Sequence, residues 1–469
     1  MKRTKILATY GPSVASPAKI RNLVAAGVNA FRINCSHGDR ETFTSAMQVI
    51  RKGVAASRYP IGILFDISGP KLRLDRFEGE LAVRAGDKIV LATSGTDLAK
   101  KTIAVNHPAI IHSVRSGERL FIDDGRVAFR VVKGGKNRVV AEAINPGLLT
   151  SAKGINLPDT NLAVPTITTK DRKDIQTAVQ LGADLVALSF VRSGDDIIEA
   201  KKLIKRFGGY QTVIAKLEKR EAIEQLDDIL LMADGIMIAR GDLGVELPPE
   251  ELPHLQREII HKANRHHKPV IVATQMLESM RFSPRATRAE ISDVATAVYE
   301  FVDTVMLSAE TATGEYPLEA VRVMTDVIAA TEKAAPTRRV ELDEHLISSP
   351  AVRGIAEAVR AGIEVCPTAV ICAYTTSGFT AELISTPYPP QVIVALTPDS
   401  RVLRRLSLRR SVYPVEVKQP KSISEMKRTA ERVCRACGLA KGGERIIITG
   451  GVPFGSTAPT NFMLFHEVT

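Results

Sequence analysis

Eight short apolar runs, most of them followed by a stretch of helical periodicity, constrain this chain more than any other feature. They cover residues 5–10, 30–35, 61–66, 185–190, 213–217, 235–239, 270–273 and 304–307. Helical patterns lie between most of them, among them residues 17–26, 196–207, 221–232 and 249–267. Strands that alternate with helices in this way predict an α/β fold, a closed parallel (β/α)8 TIM barrel with its site at the strands' carboxyl ends.

One connection is too long for a barrel loop. Residues 72–164 read as short β segments broken by Gly, Pro and Asn, which predicts an inserted small all-β lid domain above the barrel mouth. Residues 333–345 form a polar, Pro-containing linker, and short strand candidates at 368–373, 392–396 and 445–449 alternate with helices beyond it. They predict a C-terminal open-sheet α/β domain. The expected division is a barrel over 1–71 and 165–337, a lid over 72–164 and a last domain over 338–469.

Composition narrows the class. With 469 residues, 45% apolar and 25% charged, the chain suits about three ordinary globular domains. No run reaches the roughly 18 apolar residues of a membrane span, and the N-terminus carries no signal-peptide pattern. Five cysteines, an odd number, fit free thiols in a reducing cytoplasm. The net charge of +11 favours anionic partners. Zinc-ligand spacing and aromatic-interleaved basic motifs are missing and Trp is absent, which turns the reading from nucleic acid towards a small phosphorylated substrate.

The strand ends carry the chemistry. Lys216 and Glu218 share one face of their strand, because side chains alternate. Asp242 follows the next strand and Thr274 the one after it. An ammonium, two carboxylates and a hydroxyl suit an anionic substrate on a divalent cation, with Glu218 and Asp242 as its ligands. A structural ion pair is the competing reading. At Gly241 and Asp242 the amides of a helix start could receive a carboxylate, and an ordinary capped helix accounts for the same residues. No Walker A sequence is present. Arg32, Asn34 and Ser36 share a strand face, with His37 following; Asp66 ends the third run, and Arg73 follows a Gly69-Pro70 turn. Arginines at a barrel mouth suit phosphate oxygens.

These residues carry a resemblance. Arg32-Ile33-Asn34-Cys35-Ser36-His37-Gly38, Asp66-Ile67-Ser68-Gly69-Pro70, Lys153-Gly154-Ile155-Asn156-Leu157-Pro158 and Ala273-Thr274-Gln275-Met276-Leu277-Glu278-Ser279 resemble the pyruvate kinase family, as do residues 4–12, 234–246 and 306–311. The motifs keep family order across barrel and lid. The resemblance implies phosphoryl transfer from phosphoenolpyruvate to ADP, giving ATP and pyruvate. It implies Mg2+ (Mn2+ being an alternative) on Glu218 and Asp242, and Lys216 beside the transferring group and then the enolate oxygen. Arg32 and Arg73 would lie on the phosphate path, with Asn34 and His37 on the nucleotide side. The amides of Gly241 and Asp242, with Thr274, would hold the substrate carboxylate. Asp124 and Lys153 would swing over the nucleotide from the lid. Thr274, Ser308 and Glu310 would stand near the protonation of the enolate carbon. Homotetramers are usual in the family.

The chain departs from the family at one telling position. Many members hold K+ with counterparts of Asn34, Ser36, Asp66 and the backbone oxygen of Ile67, and carry Glu where Lys71 stands here. An ammonium on a four-carbon stem can stand in for a monovalent cation, so K+ is expected to be dispensable; a surface Lys beside an intact potassium site is the competing reading. In the last domain, Thr375, Thr376, Ser377, Gly378 and Thr380 resemble the family's sugar-phosphate effector loop, faced by residues 450–456, with Phe379 where a basic residue is common. Arg401, Arg404, Arg405, Arg409 and Arg410 alternate with leucines and read as a solvated or subunit-facing edge. Cys434 and Cys437 read as structural, and His254, His261, His266 and His267 as exposed helix surface. The rival functions are a catalytically idle sugar-phosphate sensor and a nucleic-acid binder using the 401–410 cluster. Intact Lys216, Glu218, Asp242 and Thr274 count against idleness.

Overall fold

The computed structural model describes residues 1–162, 164–334, 349–386, 388–453 and 459–469. All eight apolar runs are strands: β1 (Lys5–Thr9), β2 (Ala30–Asn34), β3 (Gly62–Ile67), β4 (Leu185–Leu188), β5 (Thr212–Leu217), β6 (Gly235–Ala239), β7 (Val270–Ala273) and β8 (Thr304–Leu307). They close into one parallel barrel in sequence order, and Lys5 of β1 pairs with Thr304 of β8. Parallel strands are covered on both faces, which is why each one reads as an unbroken apolar run. Leu7, Leu64, Leu185, Ile214, Met237 and Ile271 fill the barrel interior. Its outer face packs on helices that start where the sequence supplies caps. Asp39 opens Arg40–Val54, and capping boxes of Thr168 with Asp171 and Thr287 with Glu290 open Thr169–Gln180 and Arg288–Tyr299.

Between β3 and β4 lies the lid. Lys88–Ala92, Thr102–Ala104, Arg119–Ile122, Val127–Lys133, Arg138–Ala143 and Ile155–Asn156 form a six-stranded sheet, and Glu80–Val83 pairs with Gly147–Thr150. Arg138–Ala143 alternates buried and open positions, the signature of a sheet with one wet face. The lid has its own core around Ile89, Leu91, Phe129 and Val139.

The last domain is a five-stranded sheet in the order Val412–Glu416, Val392–Thr397, Val370–Tyr374, Arg445–Gly450, Phe462–Glu467, parallel except at the final pair. Its two edge strands were not among the sequence candidates. The expected linker lies outside the described residues from 335 onward, as do Phe454, Gly455 and Ser456 of the facing loop.

Most of the arginine cluster is turned inward, with Arg401 alone exposed among the five. Arg404 Nε donates to Asp184 Oδ1 at 2.6 Å, Arg409 pairs with Asp303 at 3.5 Å and Arg410 with Glu332 at 3.7 Å. Arg409 and Arg410 are 4% and 1% exposed. Asp184 and Asp303 sit just before β4 and β8, so these arginines seat the C-terminal domain on the amino-terminal rim of the barrel. Leu408 enters the barrel's interior layer, and its carbonyl accepts the Thr304 hydroxyl at 2.8 Å. Arg404, Arg409 and Arg410 serve domain packing, while Arg401 stays exposed and pairs with Asp399 at 2.7 Å. His254 and His261 are exposed as expected; His266 and His267, at the helix end, are instead half-buried. Cys434 is buried with its sulfur 3.3 Å from that of Cys372.

Candidate active site

Every barrel strand ends in a polar side chain on the lid side. In strand order these are Thr9, Arg32, Asp66, Ser189, Lys216 with Glu218, Arg240 with Asp242, Thr274 and Ser308. The closure of the barrel turns these distant positions into one ring.

A continuous ionic chain spans β2 to β5. Arg32 Nε donates to Asp66 Oδ2 at 2.6 Å, and Lys216 Nζ lies 3.2 Å from Asp66 Oδ1 and 2.7 Å from Glu218 Oε1. The Lys216 ammonium also donates to Ser189 Oγ at 2.7 Å. Burial alone would depress the Lys216 pKa, but Asp66 and Glu218 together raise it above the ordinary amine value, so the cation is permanent. Burial pushes Asp66 the other way, and Lys216 and Arg32 outweigh it to hold the carboxyl below its usual range. Glu218 accepts the Phe190 amide at 2.8 Å with its second oxygen. The predicted Lys216 and Glu218 pairing on one face is therefore present. Ser189 and Thr9, which orient Lys216 and Arg32, were missed; both are single hydroxyls at strand ends, a signal visible in the sequence.

Asp242 stands apart from this chain. No hydrogen bond or ion pair reaches its carboxylate among the described residues, and burial followed by the Glu218 charge raises its pKa to about 7. The Glu218 charge reaches Asp242, with Lys216 and Lys71 opposing it, and two neighbouring carboxylates suit a hard divalent ion with oxygen ligands.

The expected cradle for a substrate carboxylate is altered. The Gly241 amide donates to Thr274 Oγ1 at 2.8 Å and is not free. Thr274 and Gln275 adopt left-handed φ values of 68° and 55°, a strained backbone for side-chain-bearing residues. Arg240 props this loop, donating to the carbonyls of Thr274 at 2.7 Å and Gln275 at 3.1 Å while pairing with Asp293 at 2.6 Å. That positioning role was not read from sequence. Glu310 is wholly buried, with its oxygens accepting the amides of Leu277 at 3.1 Å and Ser308 at 2.7 Å. Burial raises its pKa. Ser308 Oγ is buried and has no hydrogen-bond partner among the described residues.

Between barrel and lid runs a cleft of about 380 Å³ whose walls include Lys71, Arg73, Asp124, Lys153 and Asp242. Burial, then Lys216 and Arg73, lower the Lys71 pKa. Arg73 donates to the Ala152 carbonyl at 2.8 Å, and Lys153 pairs with Asp123 at 2.8 Å. His37 is exposed beyond β2, its pKa lowered by partial burial and by Lys71 and Arg73. Asn34 Oδ1 accepts the Ser36 amide at 3.1 Å, and Ile67 is the last residue of β3. A lid-to-barrel tie went unread: Asn156 donates to Glu246 Oε1 at 3.1 Å, and Lys219 pairs with the same oxygen at 2.7 Å.

In the last domain, Thr375, Thr376, Ser377 and Thr380 line a separate cavity of about 290 Å³. Thr375 Oγ1 accepts the Gly378 amide at 2.8 Å, where Gly378 takes φ +90°, and the Thr380 and Thr460 hydroxyls are 2.6 Å apart.

Residues 1–321 match the family described as pyruvate kinase, barrel domain, and residues 353–466 match pyruvate kinase, alpha/beta domain. The chain is 40% identical to a pyruvate kinase of Methylorubrum extorquens over 100% of its own length and 98% of the relative's. It is 41% identical to one of Agrobacterium vitis, covering 98% and 97%. A pyruvate kinase of Geobacillus stearothermophilus is 38% identical over 100% of this chain and 81% of the relative. Two family matches in chain order and identity of this level along the whole length show that the chain belongs to the pyruvate kinase family and is a phosphotransferase.

Proposed function

We propose that the chain transfers the phosphoryl group of phosphoenolpyruvate to ADP, giving pyruvate and ATP, with Mg2+ and without need of K+. The observation that carries this reading is the buried ionic chain from Arg32 through Asp66 and Lys216 to Glu218. Phosphoryl transfer needs little covalent help from the protein, so fixed charge and positioning do most of the work.

Arg32 clamps the phosphoryl oxygens while Asp66 fixes its guanidinium. Arg73, Asp124, Lys153, Asn34 and His37 receive the nucleotide along the cleft. As the bond from phosphorus to the enol oxygen breaks and the bond to the terminal ADP oxygen forms, negative charge grows on the enolate oxygen. Lys216, held protonated by its two carboxylates, stabilises that charge. The enolate carbon then takes a proton on the side of Thr274 and Ser308. Glu310, committed to two amides, holds Ser308 in place. Glu218 and Asp242 would hold Mg2+ (Mn2+ shares this ligand preference), which supplies charge neutralisation at the phosphate when bound.

Lys71 supports the potassium part of the reading. It lines the cleft with Asp242, and both oxygens of Asp66 already face cations. The reading extends to a cytoplasmic homotetramer with a sugar-phosphate effector at Thr375, Thr376, Ser377, Gly378 and Thr380, supported by the cavity there. The test is pyruvate formation with Mg2+ in K+-free buffer and with K+ added. Turnover that K+ leaves unchanged is expected. A strict K+ requirement removes the Lys71 part, and silence in both buffers removes the enzyme reading.

A further inference from the structure

A cavity of about 350 Å³ lies at the end of the barrel opposite the lid. Leu185 and Thr212, the first residues of β4 and β5, and Asp234 and Pro269, just before β6 and β7, form its barrel side. Phe379, Glu382, Arg405 and Arg409 close it from the C-terminal domain. The volume falls within the range of small-molecule sites, which favour such domain junctions.

Its carboxylates and arginines are matched in pairs, and His266 and His267 also line it. Asp234 is 2.8 Å from Lys201, Glu382 is 3.3 Å from Arg405, and Arg409 is 3.5 Å from Asp303. Lys268 has no carboxylate partner among the described residues; its ammonium donates to the Ala233 carbonyl at 2.7 Å. Burial lowers its pKa, Lys201 and Arg409 adding to the effect and Asp234 and Glu382 opposing it without cancelling it, so an arriving anion would relieve a desolvated cation. The walls also include two large apolar side chains left open to water, Leu231 from the barrel and Phe379 from the last domain, 53% and 47% exposed. One unmatched cation beside an uncovered apolar pair defines an amphipathic ligand.

We propose that this interdomain cavity binds a small amphipathic carboxylate, an apolar or aromatic acid whose anionic group meets Lys268 and whose apolar part covers Leu231 and Phe379. The site is separate from the barrel mouth and from the loop at Thr375, although Phe379 borders both C-terminal cavities. Its occupation does not depend on the proposed reaction.

Calorimetric titration of the full chain with hydrocinnamate and with its neutral amide tests this. Saturable binding of the acid is expected, with the amide about tenfold weaker or worse, a difference of about 1.4 kcal/mol. Lys268→Met should weaken the acid by at least about tenfold, Lys268→Arg should retain it, and Phe379→Ala should weaken acid and amide alike. Unliganded turnover of Lys268→Met should match the native enzyme. If Lys268→Met does not fold, the arginine and alanine variants decide. Equal binding of acid and amide, no saturation by the acid, or unchanged affinity after loss of the Lys268 charge or of the Phe379 ring overturns the proposal.

Discussion

Replacing Lys216 by Met removes the centre of the ionic chain while keeping most of its volume. In the native chain this ammonium stands 3.2 Å from Asp66, 2.7 Å from Glu218 and 2.7 Å from Ser189. Asp66 and Glu218 are 1% and 2% exposed, so the variant leaves two buried carboxylates with one cation fewer. Removing one partner of a buried ion pair costs about 3–5 kcal/mol. Arg32 still holds Asp66 and the Phe190 amide still holds Glu218, which places the expected loss near the lower end, about 3 kcal/mol. Native domains carry about 5–15 kcal/mol, so the fold should survive. Turnover should not: losing the fixed positive charge at the transferring group should cost about 10³-fold or more in kcat. The stability loss carries its own signature. Freed of Lys216, the largest charge offsetting its burial, Asp66 rises in pKa above its unfolded value, so the folded variant binds an extra proton and its stability falls as pH rises through the raised pKa. Native Asp66, with a depressed pKa, contributes in the opposite sense, being lost as pH falls. Urea unfolding at about pH 5.5 and about pH 7.5, beside a coupled pyruvate assay, reads both effects. A variant with native turnover, or one whose stability does not improve in acid relative to the native protein, would refute the reasoning.

Asp242, with a pKa of about 7 raised from 3.8, must lose its proton to bind a cation. Mg2+ affinity measured by calorimetry should therefore strengthen as pH rises through about 7, and Asp242→Asn should weaken binding and flatten that dependence. Glu246→Gln weakens the charge that ties Asn156 of the lid to Lys219 of the barrel. An increase of roughly threefold to tenfold in the ADP KM, with a smaller change in kcat, is expected from initial rates; unchanged kinetics would mean that the tie does not steer the lid. Arg410→Met leaves Glu332 and the Val302 carbonyl short of a buried donor at the domain junction, while Asp303 keeps the backbone amide of position 410, and should cost about 2–4 kcal/mol in chemical unfolding. A loss below about 0.5 kcal/mol would argue that the arginine packs without contributing its charge.

What the sequence reveals follows from burial. The barrel strands are covered on both faces and so appear as apolar runs that need no partner to be recognised. The edge strands of the last sheet lack that mark. Val412–Glu416 contains Pro414, which reads as a break although an edge strand tolerates it, and Phe462–Glu467 is only partly covered. The site was legible wherever side chains sit close along the chain, as with Lys216 and Glu218. Across strands only the charged ends and Thr274 stood out, and the supports behind them did not, as with Ser189 beneath Lys216 or Arg240 behind Thr274. The arginines at 404, 409 and 410 show the same limit: alternation with leucine looks alike whether a cation meets water or a distant Asp184, Asp303 or Glu332.

Leu408 in the barrel interior has a consequence for how the molecule is made. Synthesis completes the eight strands at Leu307, and only then can β1 find β8, a pairing between the two ends of the barrel sequence. The floor is still open at that moment, because the residue that plugs it arrives with the last domain. A nascent barrel must therefore wait on the ribosome with apolar side chains uncovered, and its folding rate is set by this distant closure more than by any local step. Fragments ending before Leu408 should aggregate even though they contain every side chain of the candidate site, and the two domains form one unit of assembly despite their separate sheets.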